Sequence, residues 1–298
     1  MRVLIFTITL VLISNISIAQ GVTADLSYYP KTEFNAEVVQ KYTSKTGNTF
    51  KKIVIDGFDS KIPFYFIQPK NNDNNRFVIL LHGLGGSKDN WVYPMSDLSK
   101  KYTMLKDSLL SLGYSVVIPD AKYHGERSYE ANFAPPQVLF TPSNSQKISN
   151  MWVTTVKDIR IIMDYMELVS QEKSITFNVI GYSMGGMIAI LLNSVDNRLK
   201  SVVACVPPLD GPKALKNVFG WKDLETAEKL DHISPQNYAK MQKAPIYLLM
   251  GKKDVYYTEK NVKDFLNEIS VKEKKMKFYE SGHLLPMSFI TDAIKCIN

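Results

Sequence analysis

Residues suited to redox or metal chemistry are scarce in this sequence, which has 2 cysteines and 4 histidines in 298 residues. No histidine stands at metal-ligand spacing from another histidine or a cysteine, so a zinc site has no support. Cys205 is predicted to end a central strand, and Cys296 to lie near the far end of a helix roughly 18 Å long. A disulfide tolerates a Cα separation of about 7 Å. We therefore predict two unpaired thiols and no structural zinc site.

The sequence also lacks a Pro/Gly/Ser-rich linker, an internal repeat and a low-complexity stretch. We predict that residues 20–298 form a single domain, and the 45% of hydrophobic residues suffices for a full core. The net charge of +7 does not form a basic patch, because basic and acidic residues alternate, as in Lys272, Glu273 and Lys274. Scattered charge of this kind favours a solvated surface, so we expect no nucleic-acid partner.

The first twenty residues, MRVLIFTITLVLISNISIAQ, combine one basic residue, an apolar run over 3–13 and a small-x-small ending at 17–19. This pattern is typical of a secretory signal peptide, here residues 1–19. The apolar run is shorter than the roughly 20 residues that span a bilayer. We expect a secreted or periplasmic protein with no stable membrane insertion after cleavage.

Apolar segments alternate with segments of helical periodicity along most of the chain. Segments 50–55 and 62–67 flank the turn sequence DGFDSK and predict an antiparallel hairpin. Six further apolar runs predict buried parallel strands at 77–81, 115–119, 175–180, 201–206, 246–250 and 276–279. Helices are predicted at 101–112, 151–169, 184–194, 259–269 and 287–297. Eight strands with helices on both faces predict a doubly wound α/β architecture.

Two connections that leave the carboxyl edge of the predicted sheet are longer than crossovers need: 126–150 and 207–243. Ligand sites of such sheets form at this edge, so both connections are expected to roof a pocket. The second would form a short cap. Its many charged residues and the absence of a sustained apolar face argue against a lipase-type lid.

The sequence NVIGYSMGGMIAI places Ser183 between Gly181 and Gly185 in a GxSxG pattern, after a predicted strand and before a predicted helix. A serine on such a tight turn is exposed at a helix N-terminus, where backbone dipoles favour developing negative charge. The alternative is a glycine-rich turn in which the serine only caps the helix. The strand and helix on either side favour a nucleophile.

A serine nucleophile needs a base, and the base needs a carboxylate. His283, in YESGHLLP after the last strand, is the predicted base. Asp254, in GKKD after the preceding strand, gives the chain order Ser, Asp, His that this architecture uses. Asp210, in VPPLDGP, also follows a strand at the same edge and is a competing candidate for the acid.

An oxyanion intermediate needs preorganised donors. The backbone N–H groups of Met184, next after the serine, and of Leu84, in LLHGLGGSKDNW, are the predicted pair. A phosphate-binding role for this glycine-rich loop is disfavoured, because it lacks the GK[ST] order of a P-loop. His82 is interpreted as a structural partner of the loop. His232 is predicted to be solvent-exposed.

The motifs HGLGG, PDAKYHGERS, GYSMGG, GKKD and SGH occur in this order over about residues 50–298. In this the chain resembles the α/β-hydrolase superfamily, in particular small bacterial serine esterases and the serine aminopeptidase and dienelactone hydrolase branches. The resemblance implies a mostly parallel eight-stranded sheet with an antiparallel N-terminal hairpin and a cap at about 207–243. It places the nucleophile, acid and base at Ser183, Asp254 and His283, and the oxyanion donors at Leu84 and Met184. The acyl-transfer mechanism that it implies needs no metal and no organic cofactor. Dienelactone hydrolases proper have a cysteine nucleophile, so Ser183 argues against that activity.

Three functions are compatible with these residues. The first is hydrolysis of small-molecule carboxylic esters, with a short-acyl preference expected from the compact cap. The second uses the same triad to release residues from a peptide N-terminus, which requires a pocket carboxylate to hold the substrate amine. The third is a catalytically silent binding protein, which an intact triad disfavours.

Overall fold

The computed structural model describes residues 23–71, 75–170, 175–222 and 224–298. The predicted signal peptide lies outside the described residues. The described strands are β1 (Ala36–Thr43), β2 (Thr49–Asp56), β3 (Lys61–Gln68), β4 (Arg76–Leu81), β5 (Ser115–Pro119), β6 (Thr176–Tyr182), β7 (Leu199–Cys205), β8 (Ile246–Gly251) and β9 (Lys274–Tyr279). They form one sheet in the order β1-β2-β3-β5-β4-β6-β7-β8-β9.

Pairing in this sheet changes from antiparallel to parallel along its width. The pairs β1–β2, β2–β3 and β3–β5 are antiparallel. The pairs β5–β4, β4–β6, β6–β7, β7–β8 and β8–β9 are parallel. The predicted antiparallel start and parallel remainder are confirmed. Strands β4 to β8 are apolar and almost wholly buried, as strands covered by helices on both faces must be.

The predicted number of eight strands is wrong, because the described sheet has nine and β1 was not predicted. All eight residues of β1 are exposed. Its sequence, AEVVQKYT, shows neither the alternation of a half-buried strand nor the apolar run of a buried one, so the pattern does not predict a strand. Antiparallel pairing with β2 makes this segment a strand, and Tyr42 stacks on Phe50 of β2 with ring centroids 4.8 Å apart.

The described helices are α1 (Asp97–Ser111), α2 (Ser145–Val169), α3 (Met184–Val195), α4 (Gly211–Phe219), α5 (Leu224–Glu228), α6 (Glu259–Glu268) and α7 (Phe289–Lys295). All five predicted helices are present. Helix α1 begins four residues earlier than predicted, because Ser96 and Ser99 form a capping box there. Helix α3 is apolar all round and buried from Met184 to Ser194, which fits its position between the sheet and α2.

The cap, residues 207–243, contains α4, α5 and two 3₁₀ turns, Asp231–Ile233 and Pro235–Met241.

Both described cysteines are free. Cys205 is buried, and burial raises the pKa of its thiol. Among the described helices, none combines the length and the apolar character that a membrane span requires. The described residues also contain no cluster of three or more side chains suited to a metal ion.

Candidate active site

Ser183 occupies a strained turn between β6 and α3. Its backbone has φ 55° and ψ −115°, a region that non-glycine residues rarely adopt. The turn is possible because its flanking glycines approach backbone closely. A Cβ on Gly181 would lie 2.0 Å from the Gly185 carbonyl oxygen, and one on Gly185 would lie 2.3 Å from the Leu81 carbonyl oxygen. The GxSxG spacing is therefore a steric requirement of this turn.

The structure brings the three predicted catalytic side chains together. His283 Nε2 lies 2.8 Å from Ser183 Oγ, and His283 Nδ1 lies 2.7 Å from Asp254 Oδ2. When Nδ1–H donates to the carboxylate, Nε2 is left to accept the serine hydroxyl proton. The Asp254 side chain is fully buried, whereas the His283 side chain is 28% exposed. The geometry is that of a nucleophile, a base and an orienting carboxylate.

Two tyrosines that the sequence did not single out hold this arrangement. Tyr182 Oη donates to the His283 carbonyl at 2.7 Å and accepts the Leu285 N–H at 2.9 Å. Tyr257 Oη accepts the Gly251 N–H at 2.9 Å, and burial together with the Asp254 carboxylate raises its pKa. Burial also raises the pKa of Tyr182, so both phenols stay protonated. Tyr182 acts on backbone 101 and 103 residues away in sequence, so no local pattern predicts its role, whereas the partner of Tyr257 lies six residues before it.

The competing carboxylate has a different partner. Asp210 precedes α4, and its Oδ1 accepts the Lys213 N–H at 2.9 Å, so that it caps this helix. Asp254 instead uses its second oxygen to accept the Tyr256 N–H at 3.0 Å, which fixes the carboxylate plane. Of the two candidates, the structure places only Asp254 against the histidine.

The predicted oxyanion donors lie on either side of the serine. Leu84 and Met184 both line the pocket that contains Ser183. Within the described part of the chain, neither backbone N–H donates to another residue. The Gly83 backbone comes so close that a Cβ there would lie 3.4 Å from Ser183 Cβ. These amides are thus left for an oxygen bound beside the serine.

Buried polar groups hold the oxyanion loop, residues 82–87, which follows β4 and carries Leu84. His82 Nε2 accepts the Ala121 N–H at 3.1 Å and Nδ1 donates to the Gly83 carbonyl at 2.9 Å, so the predicted structural role is confirmed. Burial lowers the pKa of His82 to about 4, which keeps the ring neutral. Lys88 forms a fully buried ion pair with Asp120 at 2.7 Å. Sequence reasoning missed this role of Lys88, because its partner lies on the loop after another strand.

An apolar pocket of about 60 Å³ opens at Ser183. As predicted, both long connections line it, the first with Phe140 and Ile148 and the second with residues of the cap. The cap does present a short apolar side on α4, a helix of nine residues. Ala214, Leu215 and Phe219 lie on one side of this helix and face the pocket.

The three tryptophans of the sequence have packing roles. Trp152 lines the pocket, whereas Trp91 is buried against Tyr102 with ring centroids 4.1 Å apart. Trp221 is buried and donates through Nε1 to the Phe140 carbonyl at 3.0 Å.

The prediction that His232 is solvent-exposed is wrong. It is half-buried, with Nε2 2.7 Å from the Ser149 hydroxyl of α2.

Comparison with known proteins agrees with this architecture. Solved structures of similar fold include acetyl xylan esterase 1 from Thermoanaerobacterium sp. JW/SL YS485, with TM-score 0.67 and 16% identity over 89% of this chain and 87% of that chain. A cold-adapted esterase from an Arctic intertidal metagenomic library has TM-score 0.64 and 16% identity over 87% of this chain and 98% of that chain. The Pyrococcus furiosus esterase Pf2001 has TM-score 0.59 and 20% identity over 83% of this chain and 88% of that chain.

A Bacillus subtilis (strain 168) protein named "Putative hydrolase YtaP" is 30% identical over 156 residues, half of this chain and half of that protein. The sheet and its strand-to-helix turn define an α/β-hydrolase fold. Residues 62–283 match the model of the dienelactone hydrolase family. The chain belongs to this family and is a hydrolase.

Proposed function

We propose that this protein is a serine esterase that cleaves small-molecule carboxylic esters with short acyl groups. The observation that carries the proposal is the hydrogen-bonded chain from Ser183 Oγ through His283 to Asp254, with distances of 2.8 and 2.7 Å. It opens onto a small apolar pocket beside two unpaired backbone amides. The esterases named above share the fold.

In the proposed mechanism, Ser183 attacks the ester carbonyl carbon while His283 Nε2 takes the hydroxyl proton. The Leu84 and Met184 N–H groups stabilise the oxyanion, each contributing about 3 kcal/mol. The C–O bond to the alcohol then breaks, and His283 delivers its proton to the leaving oxygen. Water attacks the acyl-enzyme in the same way, which releases the carboxylic acid and restores the serine hydroxyl.

The size of the pocket supports a short acyl group. Its volume of about 60 Å³ is less than half of the ~150 Å³ of an apolar cavity that holds benzene. The walls are apolar side chains from α2, α3 and the cap, so an acetyl or similar alkyl group gains burial there. A longer chain would have to displace the α4 side chains.

Exopeptidase activity on the same triad is not favoured. That activity needs a carboxylate in the pocket to hold the substrate amine, and none of the described residues that line the pocket is Asp or Glu. The test is a comparison of kcat/KM for 4-nitrophenyl acetate, butyrate, octanoate and palmitate with kcat/KM for aminoacyl anilides. We expect the highest values for acetate or butyrate and no anilide cleavage. Faster cleavage of anilides would replace the esterase proposal by an exopeptidase.

We also propose that the protein is exported, on the basis of the signal-like sequence at residues 1–19. Cell fractionation with an antibody to the C-terminus, together with N-terminal sequencing, tests this. We expect the mature chain outside the cytoplasm with Gln20 at its N-terminus. An uncleaved chain in the cytoplasm would contradict the proposal.

A further inference from the structure

Tyr256 lies beside all three members of the proposed triad. Its backbone N–H donates to Asp254 Oδ1 at 3.0 Å. Its ring packs on the imidazole of His283, with the two ring centroids 4.7 Å apart and the ring planes tilted by 43°. It also lines the apolar pocket at Ser183, here called the acyl pocket. The residue therefore borders both the acyl pocket and the base.

The ring of Tyr256, and not its hydroxyl, meets the base. Within the described residues this hydroxyl forms no hydrogen bond, and the contact with His283 is a ring contact. Burial and the Asp254 carboxylate raise the pKa of Tyr256, so the phenol stays neutral. The π-face of a neutral aromatic ring attracts a cation that lies within about 6 Å of its centroid. In the proposed mechanism the imidazole becomes such a cation each time it takes a proton.

The other contacts of the base leave its ring free to turn. Asp254 holds one end of the imidazole at Nδ1, and Tyr182 holds the backbone carbonyl of His283. The Tyr182 ring is farther away and edge-on, with the centroids 6.2 Å apart. The His283 side chain is also partly exposed, so water borders it. The Tyr256 ring is thus the contact that limits movement of the imidazole on the side of the acyl pocket.

Delivery of the proton to the alcohol is the step that depends most on the position of the imidazole. Once Ser183 Oγ has bonded to the ester carbon, the N–H bond at His283 Nε2 breaks and an O–H bond forms at the alcohol oxygen. The C–O bond breaks, its electron pair stays on that oxygen, and the carbonyl is restored. The donor must be within hydrogen-bond reach of the alcohol oxygen. An imidazolium that turns towards water delivers its proton poorly.

We propose that Tyr256 is a positioning residue for the reaction, and that its ring holds the imidazolium of His283 in place while the proton passes to the leaving alcohol. The proposal rests on the proposed esterase function. It assigns the effect to the aromatic ring, because the ring makes the contact and the hydroxyl does not. The acyl pocket wall alone would require only an apolar side chain at this position.

The test compares two esters with the same acyl group and leaving groups of different quality. Phenyl acetate releases phenol, a poorer leaving group than the 4-nitrophenol of 4-nitrophenyl acetate, so its cleavage depends more on the delivered proton. Tyr256→Leu, which removes the ring and keeps an apolar wall, should lower kcat/KM for phenyl acetate about tenfold more than for 4-nitrophenyl acetate. Tyr256→Phe keeps the ring and should restore the wild-type ratio of the two values.

Tyr29→Leu is the matched control, because it makes the same change at a tyrosine that is 94% exposed. The ratio does not depend on the fraction of active protein, and Tyr256→Met gives the same test if Tyr256→Leu does not fold.

An equal loss for both esters in the variants without the ring would overturn the proposal, since Tyr256 would then be only a wall of the acyl pocket. The same drop in ratio for Tyr256→Phe as for Tyr256→Leu would also overturn it, because the hydroxyl would then be the acting group. Both results leave the esterase proposal standing. Failure of the wild-type protein to cleave either ester would instead overturn the esterase proposal.

Discussion

Tyr182 and His283 are joined through the backbone of the histidine loop, since the phenol one residue before Ser183 donates to the His283 carbonyl at 2.7 Å. The same phenol oxygen accepts the Leu285 N–H at 2.9 Å. The turn that carries the nucleophile therefore also fixes the loop that carries the base. This side chain therefore helps to set the distance between Ser183 and His283.

Removal of that hydroxyl tests its positioning role. We expect Tyr182→Phe to reduce kcat by about 10- to 100-fold with little change in KM, because the base moves relative to the nucleophile while the acyl pocket is unaffected. The unpaired carbonyl and N–H should cost about 1 to 3 kcal/mol of unfolding free energy. Steady-state kinetics and urea denaturation measure the two effects. Tyr165→Phe, at a half-buried tyrosine of α2 that packs against Phe34 and Phe64, is the control. A stability loss with unchanged kcat would show that the contact is only structural.

The two carboxylates should differ in their effect on turnover. Asp254→Asn is expected to lower kcat by about 10⁴, because the amide fails to hold the required histidine tautomer. Asp210→Asn should have little effect, since asparagine caps a helix as well as aspartate does. Measurement of kcat for both variants with 4-nitrophenyl acetate decides between them. The reverse ranking would move the catalytic acid to Asp210.

The apolar face of α4 should set the acyl-length limit. Phe219 stacks on Phe140 with centroids 4.5 Å apart, and both rings line the acyl pocket. We expect Phe219→Ala to raise kcat/KM for octanoate relative to acetate by about tenfold, since the removed ring gives room to further methylenes. Phe58→Ala, at an exposed ring that does not line the pocket, is the control. An unchanged length profile would place the limit elsewhere.

Two buried histidines should make the fold acid-sensitive. The rings of His82 and His124 lie 5.0 Å apart, and burial lowers their pKa values to about 4 and about 3. In the unfolded chain both titrate near pH ~6.5. Below that pH the unfolded state binds more protons, so stability is present above it and is lost as pH falls towards the folded pKa values.

Urea denaturation at several pH values between about 7 and 4.5 measures this loss. Each histidine contributes a slope of up to about 1.4 kcal/mol per pH unit. Replacement of the ring in His124→Asn should make the decline shallower, and the exposed-loop variant Asn132→Ser should leave it unchanged. Equal slopes for wild type and His124→Asn would contradict the attribution to this histidine.

Much of the fold and the three triad side chains could be predicted because the signals are local. The apolar runs of β4 to β8 mark buried strands, and the spacing of Gly181, Ser183 and Gly185 reflects contacts within one turn. Strand β1 was missed because it buries no side chain. Lys88 and Tyr182 act on groups that other segments bring close, and the sequence near each of them does not indicate those partners. The face of α4 was missed because its apolar residues span only nine positions.

Ser183 as the nucleophile is the central claim, and covalent labelling tests it directly. A fluorophosphonate probe should attach to Ser183 in the wild-type protein, as located by mass spectrometry of the digested chain. Ser183→Ala should lose both the label and the hydrolysis of 4-nitrophenyl acetate while its unfolding midpoint stays close to that of the wild type, because the change removes only the hydroxyl oxygen. Labelling at another serine, or hydrolysis that persists in Ser183→Ala, would contradict the account.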